Sequence, residues 1–233
     1  MAKQRMQPLR AWRALRRLIA DPEQTQEVFN VIEALSGPAL EKGYHRFAKT
    51  RVGMRVLNEE IDLLDTLSDR TALAATPRDS LAQHYLKFVT TENLTADGLV
   101  EASDVRGQQE LPDGLARFGA RQRDMHDLWH TLTQYGRDEL GEACLLAFTY
   151  AQTQNRGIGI ICLAGIHEFS KVYGRGAYSA AWAAYQDGKR AAWLPGEDWE
   201  HLLTLPIDKV RQQLNINEPT PYWDLRNADM AAA

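Results

Sequence analysis

Two histidines one helical turn apart stand beside an acidic residue in the stretch HDLWHTLTQYGRDELGE, residues 126–142. His126 and His130 are at positions i and i+4, which lie side by side on a helix, and Asp127 borders the same face. The opposite face is apolar and carries Phe118, Met125, Leu128, Trp129 and Leu132. This pattern predicts one helix that buries its apolar side and presents the two imidazoles together.

A carboxylate further along the chain, Glu142, can join the histidines only if the helix ends and the chain turns back. It follows His130 by twelve residues, which corresponds to about 18 Å along an unbroken helix. Gly136 can make the turn, since glycine tolerates the left-handed conformation that ends helices, and Asp138 can cap a second helix. The sequence therefore predicts a helical hairpin in which His130 and Glu142 lie level.

The side chains of this hairpin have the donor chemistry of a metal site. Neighbouring imidazoles, a nearby carboxylate and a ligand from a second helix can hold a divalent ion and leave a position for water or substrate. His126, Asp127, His130 and Glu142 are the predicted ligands. The alternative is a solvated helix face, with Arg123 and Asp127 as an i,i+4 ion pair and the histidines without a function.

The rest of the chain shows helical rather than strand periodicity. Its 233 residues, 44% of them apolar, are enough for one domain with a sizeable core. No segment sustains an alternation of polar and apolar residues, and residues 95–115 are the best candidate for a long loop. We therefore predict an all-α protein, with a single mostly helical domain at 21–226 and a flexible tail at 227–233.

Particular residues set the expected helix boundaries. The periodicity of residues 53–69 predicts one helix. The apolar side of that helix carries Met54, Leu57, Ile61 and Leu64. A helix is expected to end near Gly37, another to begin at Pro77, and Asp208 is expected to cap a new turn after Pro206.

The first twenty residues form a basic segment. They hold six Lys and Arg and no acidic residue, so they carry +6, whereas the other residues carry −10 within a total of −4. In PLRAWRALRRLIA the arginines cluster on one helical face. The other face carries Trp12, Leu15, Leu18 and Ile19. This amphipathic arm, residues 1–20, could lie on an anionic bilayer with its apolar side inserted, or could dock on the domain.

Other functional classes fit the composition poorly. No apolar stretch reaches the ~20 residues of a membrane-spanning helix, and the arm lacks the apolar region of a secretory signal. Cys144 and Cys162 lie in apolar runs, which predicts buried thiols in a reducing compartment. The acidic body argues against nucleic acid as a partner. We expect a cytoplasmic protein, with peripheral contact at the inner face of the cell membrane as an option.

The segment 126–142 resembles a signature of the ubiquinone (coenzyme Q) biosynthesis protein four family, in which His-Asp-x-x-His is followed by eleven residues and Glu. The similarity extends to RQRDMHDLWH at its start, LLAFTYAQTQN after it and DWEHLLTLPIDKVRQQLNI near the end of the chain. The order of these parts agrees with the family between Arg51 and Ile216.

The resemblance implies a helical homodimer that acts on polyprenylated benzoate intermediates beside other enzymes of quinone biosynthesis. Members of the family are implicated in removing the ring C1 carboxylate, either as a lyase or by an oxidative reaction that leaves a hydroxyl. The rival hypothesis is a non-catalytic, prenyl-lipid-binding organiser of the pathway enzymes.

The resemblance also implies roles for individual residues. His126, Asp127, His130 and Glu142 carry over as metal ligands, with zinc as the first expectation and iron(II) as the alternative. Arg123, Asp127 and Glu142 are the expected catalytic residues; the role of Arg123 rests on its place on the same helix face, from which it could pair with the substrate carboxylate through two N–H bonds.

Overall fold

The structure is a computed structural model that describes residues 6–20, 25–94 and 112–232. The helices in those ranges are α1 Pro8–Ala20, α2 Thr25–Ser36, α3 Ala39–Phe47, α4 Arg51–Asn58, α5 Leu63–Ser68, α6 Arg70–Ala74, α7 Leu81–Thr91, α8 Asp113–Asp124, α9 His126–Thr133, α10 Glu139–Thr153, α11 Arg156–Tyr173, α12 Arg175–Arg190, a 3-10 turn at Leu194–Gly196, α13 Trp199–Leu202, α14 Ile207–Leu214 and α15 Thr220–Ala232. No described residue belongs to a β-strand, so the all-α prediction is confirmed.

The described residues cluster in two compact units. The first unit comprises those within 1–39, 133–191 and 217–233. In it α1 packs on α2, α10 packs on both α11 and α12, and α12 packs on α15. Helix α11 also approaches α2 closely at Gly157, where a Cβ would lie 2.6 Å from the Cα of Ile32. Part of the core of this first unit consists of Ala11, Ala14, Val31, Ala34, Leu35 and Ile161.

The second unit comprises the described residues within 40–132 and 192–216. Its core includes Phe47 and Phe118, whose ring centroids lie 5.1 Å apart, and the buried Val56. The guanidinium of Arg121, which is 2% exposed, donates to Glu200 at 2.6 Å. A hydrogen-bonded partner of this kind is what a buried charge requires, and here it joins α8 to α13 across a long sequence separation.

Residues 53–69 form two helices where the sequence predicted one. Glu60 takes a left-handed φ of 53° between α4 and α5, and Asp62 caps α5 by accepting a backbone N–H bond at 2.9 Å. Met54, which was predicted to face the core, is 47% exposed. The buried side chains of the two helices include Val56, Leu63 and Leu67. The prediction was wrong because the periodicity of apolar residues carries no information about the left-handed conformation of Glu60 that separates the two helices.

Two other predicted helix starts also differ from the structure. Pro77 does not open α7, because Ser80 caps it by accepting a backbone N–H bond at 3.2 Å. Asp208 does not cap α14 but lies in its first turn, and Pro206 occupies the position before the helix. The expected helix end near Gly37 is confirmed, since α2 stops there and Gly37 has a φ of 50°.

The basic arm is helical and packs inside the first unit. Ala11 and Ala14 of α1 are buried against α2, and Leu15 and Leu18 pack beside them with partial burial. Trp12, which was predicted to share the apolar face with Leu15 and Leu18, is 59% exposed. Helix α1 therefore docks on its neighbour, which is one of the two alternatives that the sequence left open.

The structure describes only part of the predicted loop, and it describes the predicted tail up to residue 232. Residues 95–111 lie outside the described residues, and α8 already begins at Asp113, so the end of the predicted loop is helical. Helix α15 continues to Ala232, through the residues that were predicted as the tail.

The two cysteines are buried free thiols, as predicted. Burial raises the pKa of the Cys162 thiol to about 12, and it raises the pKa of the Cys144 thiol as well, so both remain protonated at neutral pH. In the described ranges every helix is either too short or too polar to cross a bilayer.

Candidate metal centre

The histidine pair opens a helix instead of lying inside a longer one. Helix α8 ends at Asp124, and α9 begins at His126. Between them, Met125 closes α8 with an N–H bond to the carbonyl of Arg121 at 3.2 Å. The unbroken helix predicted over this region was therefore wrong. The predicted core side was right, since the buried side chains include Phe118, Met125, Leu128, Trp129 and Leu132.

His126 and His130 are direct neighbours in the second unit. Their ring centroids lie 4.7 Å apart in an edge-to-face arrangement, and the ring nitrogens that could bind an ion lie within 4.8 Å of one another. His130 is 1% exposed, whereas the side chain of His126 is 37% exposed. The alternative of a solvated face does not fit His130, because its ring is inside the protein.

An aromatic side chain from α7 fixes the buried ring. Phe88 stacks on His130 with ring centroids 5.6 Å apart and planes inclined by 19°. Tyr85, one turn earlier on α7, is also buried. Burial raises the pKa of the Tyr85 phenol, and the negative charge of Asp127 raises it further, so Tyr85 stays neutral. The sequence alone does not indicate these two residues, because nothing in the local pattern of α7 shows what that helix contacts.

Asp127 is placed to orient the first histidine. Its Oδ1 lies 3.1 Å from Nδ1 of His126, and the residue is 9% exposed. A carboxylate that accepts the Nδ1–H of a histidine fixes the ring and the tautomer, and the other nitrogen, Nε2, is then the ligand atom. This arrangement favours Asp127 as a support for a ligand over Asp127 as the ligand itself.

Arg123 is held by its sequence neighbour. Its Nε donates to Oδ1 of Asp124 at 2.8 Å, and the Asp124 side chain is 1% exposed. Burial raises the pKa of Asp124, and the hydrogen bond from Arg123 opposes that rise. Sequence reasoning had considered Asp127, and not Asp124, as the partner of Arg123.

A second arginine closes the far end of α9. The carbonyls of the last helical turn have no partner within the helix. Arg211 supplies one, since its Nε donates to the carbonyl of Leu132 at 3.0 Å and its Nη2 to that of Thr131 at 3.2 Å. A cation at this end also interacts favourably with the helix dipole. Arg211 is another residue that sequence reasoning missed, because it lies far from α9 in the chain.

Glu142 belongs to the first unit, where it lies in the first turn of α10. Asp138 caps that helix, as predicted, by accepting the N–H of Gly141 at 3.0 Å. The carboxylate of Glu142 is 35% exposed and lies 3.7 Å from Nε of Arg137. A carboxylate in the first turn of a helix interacts favourably with the helix dipole.

Gly136 has a different role from the one predicted for it. The left-handed residue after α9 is Gln134, with a φ of 65°, and Gly136 is not in that region. Gly136 is needed for space, because a Cβ would lie 2.6 Å from the hydroxyl of Tyr222 and 2.7 Å from Oδ2 of Asp138. Its N–H donates to the Tyr222 hydroxyl at 3.0 Å, and that hydroxyl donates to Asp138.

The donors in α9 suit a small divalent ion. Zinc binds imidazole nitrogens at about 2.0–2.1 Å, so two nitrogens within 4.8 Å of one another can share one ion after small side-chain rotations. Iron(II) accepts the same combination of imidazole and carboxylate donors. The residues present therefore fit either ion.

Comparisons with known proteins agree with the signature. The family model described as Coenzyme Q (ubiquinone) biosynthesis protein Coq4 matches residues 6–220. The mitochondrial ubiquinone biosynthesis protein COQ4 of Scheffersomyces stipitis is 24% identical over 208 residues, which cover 88% of this chain and 62% of that relative. The mitochondrial COQ4 homolog of Anopheles gambiae is 27% identical over 213 residues, which cover 87% of this chain and 71% of that relative.

A solved structure shares the fold. The crystal structure of a proposed ubiquinone biosynthesis protein from Nostoc punctiforme PCC 73102 matches with a TM-score of 0.63 and 18% identity, covering 92% of this chain and 100% of that chain. The family model itself spans the whole of the segment 126–142. The resemblance is thus confirmed, and the chain belongs to the Coq4 family of coenzyme Q (ubiquinone) biosynthesis proteins.

Proposed function

We propose that this protein removes the C1 carboxylate of a polyprenylated hydroxybenzoate in ubiquinone biosynthesis, as a metal-dependent enzyme. Membership of the Coq4 family supports the pathway. The observation that carries the catalytic part is the histidine pair of α9, in which buried His130 touches His126 and Asp127 supports the His126 ring.

The proposed ligands are His126, His130 and Glu142, with Asp127 acting through the His126 ring or directly. A divalent ion bound there would supply Lewis acidity towards the ring phenolate or the carboxylate of the substrate. Zinc is the first proposal because two imidazoles and a carboxylate leave an open position in its tetrahedral set, and iron(II) is the second.

Arg123 is the proposed partner of the substrate carboxylate. Nε of Arg123 donates to Asp124, and the proposed contact places this guanidinium against the substrate carboxylate. The buried Asp124 fixes the plane of that group, so it would set the direction from which the carboxylate approaches. Orientation of this kind contributes to rate by holding the reacting bond in place.

Two forms of the reaction differ in what replaces the carboxylate. In both, the bond between C1 and the carboxylate breaks and carbon dioxide leaves. In the lyase reaction a proton takes its place on the ring. In the oxidative reaction a hydroxyl takes its place, which requires an oxidant such as dioxygen. The two products differ by one oxygen atom, and mass spectrometry separates them.

The test combines metal analysis with turnover. Purified protein is expected to hold about one divalent ion per chain. It is incubated with a prenylated hydroxybenzoate under dioxygen and under argon, and the lipids are analysed by mass spectrometry. Loss of the carboxylate in the metal-loaded protein, and retention after chelation, is the expected result. A folded, metal-loaded protein that leaves the substrate intact in both atmospheres would contradict the proposal.

The non-catalytic organiser is the second candidate. It is favoured by exposed apolar side chains on two helices of the first unit, among them Leu163 of α11 at 67% exposure and Trp182 of α12 at 63%. Such side chains could contact a prenyl chain or a partner protein. We propose other enzymes of quinone biosynthesis and a second copy of the chain as partners.

A further inference from the structure

Exposed apolar side chains are concentrated in the first unit. Among the large hydrophobic residues that are exposed in the described ranges, all except Met54 belong to this unit. Two of the most exposed lie one turn apart on α1, Leu9 at 73% and Trp12 at 59% exposure. Although α1 is docked on α2, these two side chains form an apolar strip on its solvent-exposed side.

The arginines of α1 fall into two groups. Arg10 donates to Glu33 at 2.8 Å and Arg17 to Glu27 at 2.6 Å, so these two fasten α1 to α2. Arg13 is exposed and lies next to Trp12 in the chain.

Arg16, one turn after Arg13, is exposed as well. The outer face of α1 is therefore apolar and basic, whereas the residues after the arm carry −10 in total.

We propose that α1 is a preformed docking surface for an anionic lipid bilayer, in which Leu9 and Trp12 enter the interface and Arg13 and Arg16 contact the phosphate headgroups. Charge complementarity selects this occupant. The residues after the arm carry a net negative charge, which an anionic surface repels, whereas the exposed Arg13 and Arg16 of α1 are attracted to such a surface. Tryptophan beside arginine is also the combination found where a helix lies at the headgroup level.

This surface differs from the one expected from the sequence. There the inserted side included Leu15 and Leu18, but both pack against the core of the first unit. Because α1 is already folded and fastened to α2, its contact with a bilayer requires no new helix. Binding therefore avoids the ordering cost of an arm that folds on the membrane. The inference is independent of the metal centre.

The experiment measures sedimentation of the full-length protein with vesicles of phosphatidylcholine alone and with about 30% phosphatidylglycerol. Replacing Arg13 and Arg16 together by glutamine is expected to weaken binding to the anionic vesicles about 25-fold, since each basic residue near such a surface contributes about fivefold. The matched control replaces Arg175 and Lys189, which are exposed basic residues of α12. This control is expected to bind like the unaltered protein.

A second pair of variants tests the apolar contact. Leu9→Ala with Trp12→Ala is expected to weaken binding about tenfold or more, because both side chains leave water on binding. Val172→Ala with Tyr178→Ala is the control, since it removes two exposed apolar side chains from other helices of the same unit. Helical circular dichroism of the unaltered protein is expected to stay constant when vesicles are added.

Three outcomes would overturn the proposal. One is equal vesicle binding by the α1 variants and their controls. Another is a gain of helix on binding, which would show that the surface is not preformed. The third is a change in oligomeric state of the Leu9 and Trp12 variant with unchanged vesicle binding, which would make this face an interface between copies of the chain.

Discussion

The spacing of residues predicted some features of the site around His130 and not others. The i,i+4 spacing predicted that His126 and His130 would be neighbours, and their ring centroids are 4.7 Å apart. Spacing could not predict that His130 is buried, because its burial depends on Phe88, which stacks on it from α7. Nor could spacing show that Arg123 donates to Asp124, the residue next to it in the chain.

Replacing both histidines by alanine is expected to abolish binding of the divalent ion. The physical reason is that α9 contains no other imidazole that could replace these two neighbouring donors. Metal content is measured by elemental analysis after dialysis, beside a control in which exposed His84 and His201 are replaced. Far-UV circular dichroism checks that the helices remain. Full metal occupancy in the double variant would remove α9 from the proposed site.

Asp127→Asn distinguishes a support from a ligand. If Asp127 orients His126 through the contact at 3.1 Å, asparagine preserves a hydrogen-bond acceptor but loses the charge. Metal affinity is then expected to fall by about 10–100-fold, as for other groups that support a ligand. Competition titration with a chelator measures the change. Complete loss of the ion in Asp127→Asn would instead make Asp127 an obligatory direct ligand.

At the scale of the helices, the sequence predicted the type of each element better than its ends. The cap at Asp138 was predictable because an aspartate before a helix is a local signal. The separation of α4 from α5 was not, since it depends on Glu60 in a left-handed conformation. Gly136 illustrates the same limit, because its need for space comes from Tyr222, which is distant in the chain.

Gly136→Ala tests the packing at the start of α10. The added Cβ would meet the Tyr222 hydroxyl at 2.6 Å, and we expect a loss of about 1–3 kcal/mol in the free energy of unfolding. Tyr222→Phe alone is expected to cost about 1 kcal/mol through its lost hydrogen bonds. The double variant should lose less than the two costs together, because phenylalanine vacates the clashing position. Additive losses in urea denaturation would show that the two sites are independent.

The stability that the ion pair between Arg17 of α1 and Glu27 of α2 contributes is expected to depend on pH. The hydrogen bond from Arg17 lowers the pKa of this carboxyl, with burial opposing the shift. A lowered pKa means that the carboxylate stabilises the folded state above its unfolded pKa, and that this contribution is lost as the pH falls through the folded pKa. Glu27→Gln should therefore be less stable than the unaltered protein at neutral pH, with the difference shrinking below about pH 4. A difference that is constant with pH would contradict this role for the ion pair.

For the whole molecule, the signature in residues 126–142 identified the family before any geometry was known, and the family model confirms it over residues 6–220. The reaction is a separate matter, because a fold and a family do not specify chemistry. The catalytic account depends on Glu142 as a proposed metal ligand in addition to the two histidines. An organiser would need apolar contacts instead and would tolerate a neutral residue at this position.

Complementation with Glu142→Gln is the most direct test of the catalytic account. The variant is expressed in a strain that cannot remove the ring carboxylate, and the cellular lipids are analysed by mass spectrometry. Glu139→Gln, an exposed acid in the same helical turn, is the control. The account predicts accumulation of the carboxylated intermediate with Glu142→Gln and normal ubiquinone with Glu139→Gln, with both proteins folded. Normal ubiquinone from a folded, metal-free Glu142→Gln protein would contradict catalysis and favour the organiser.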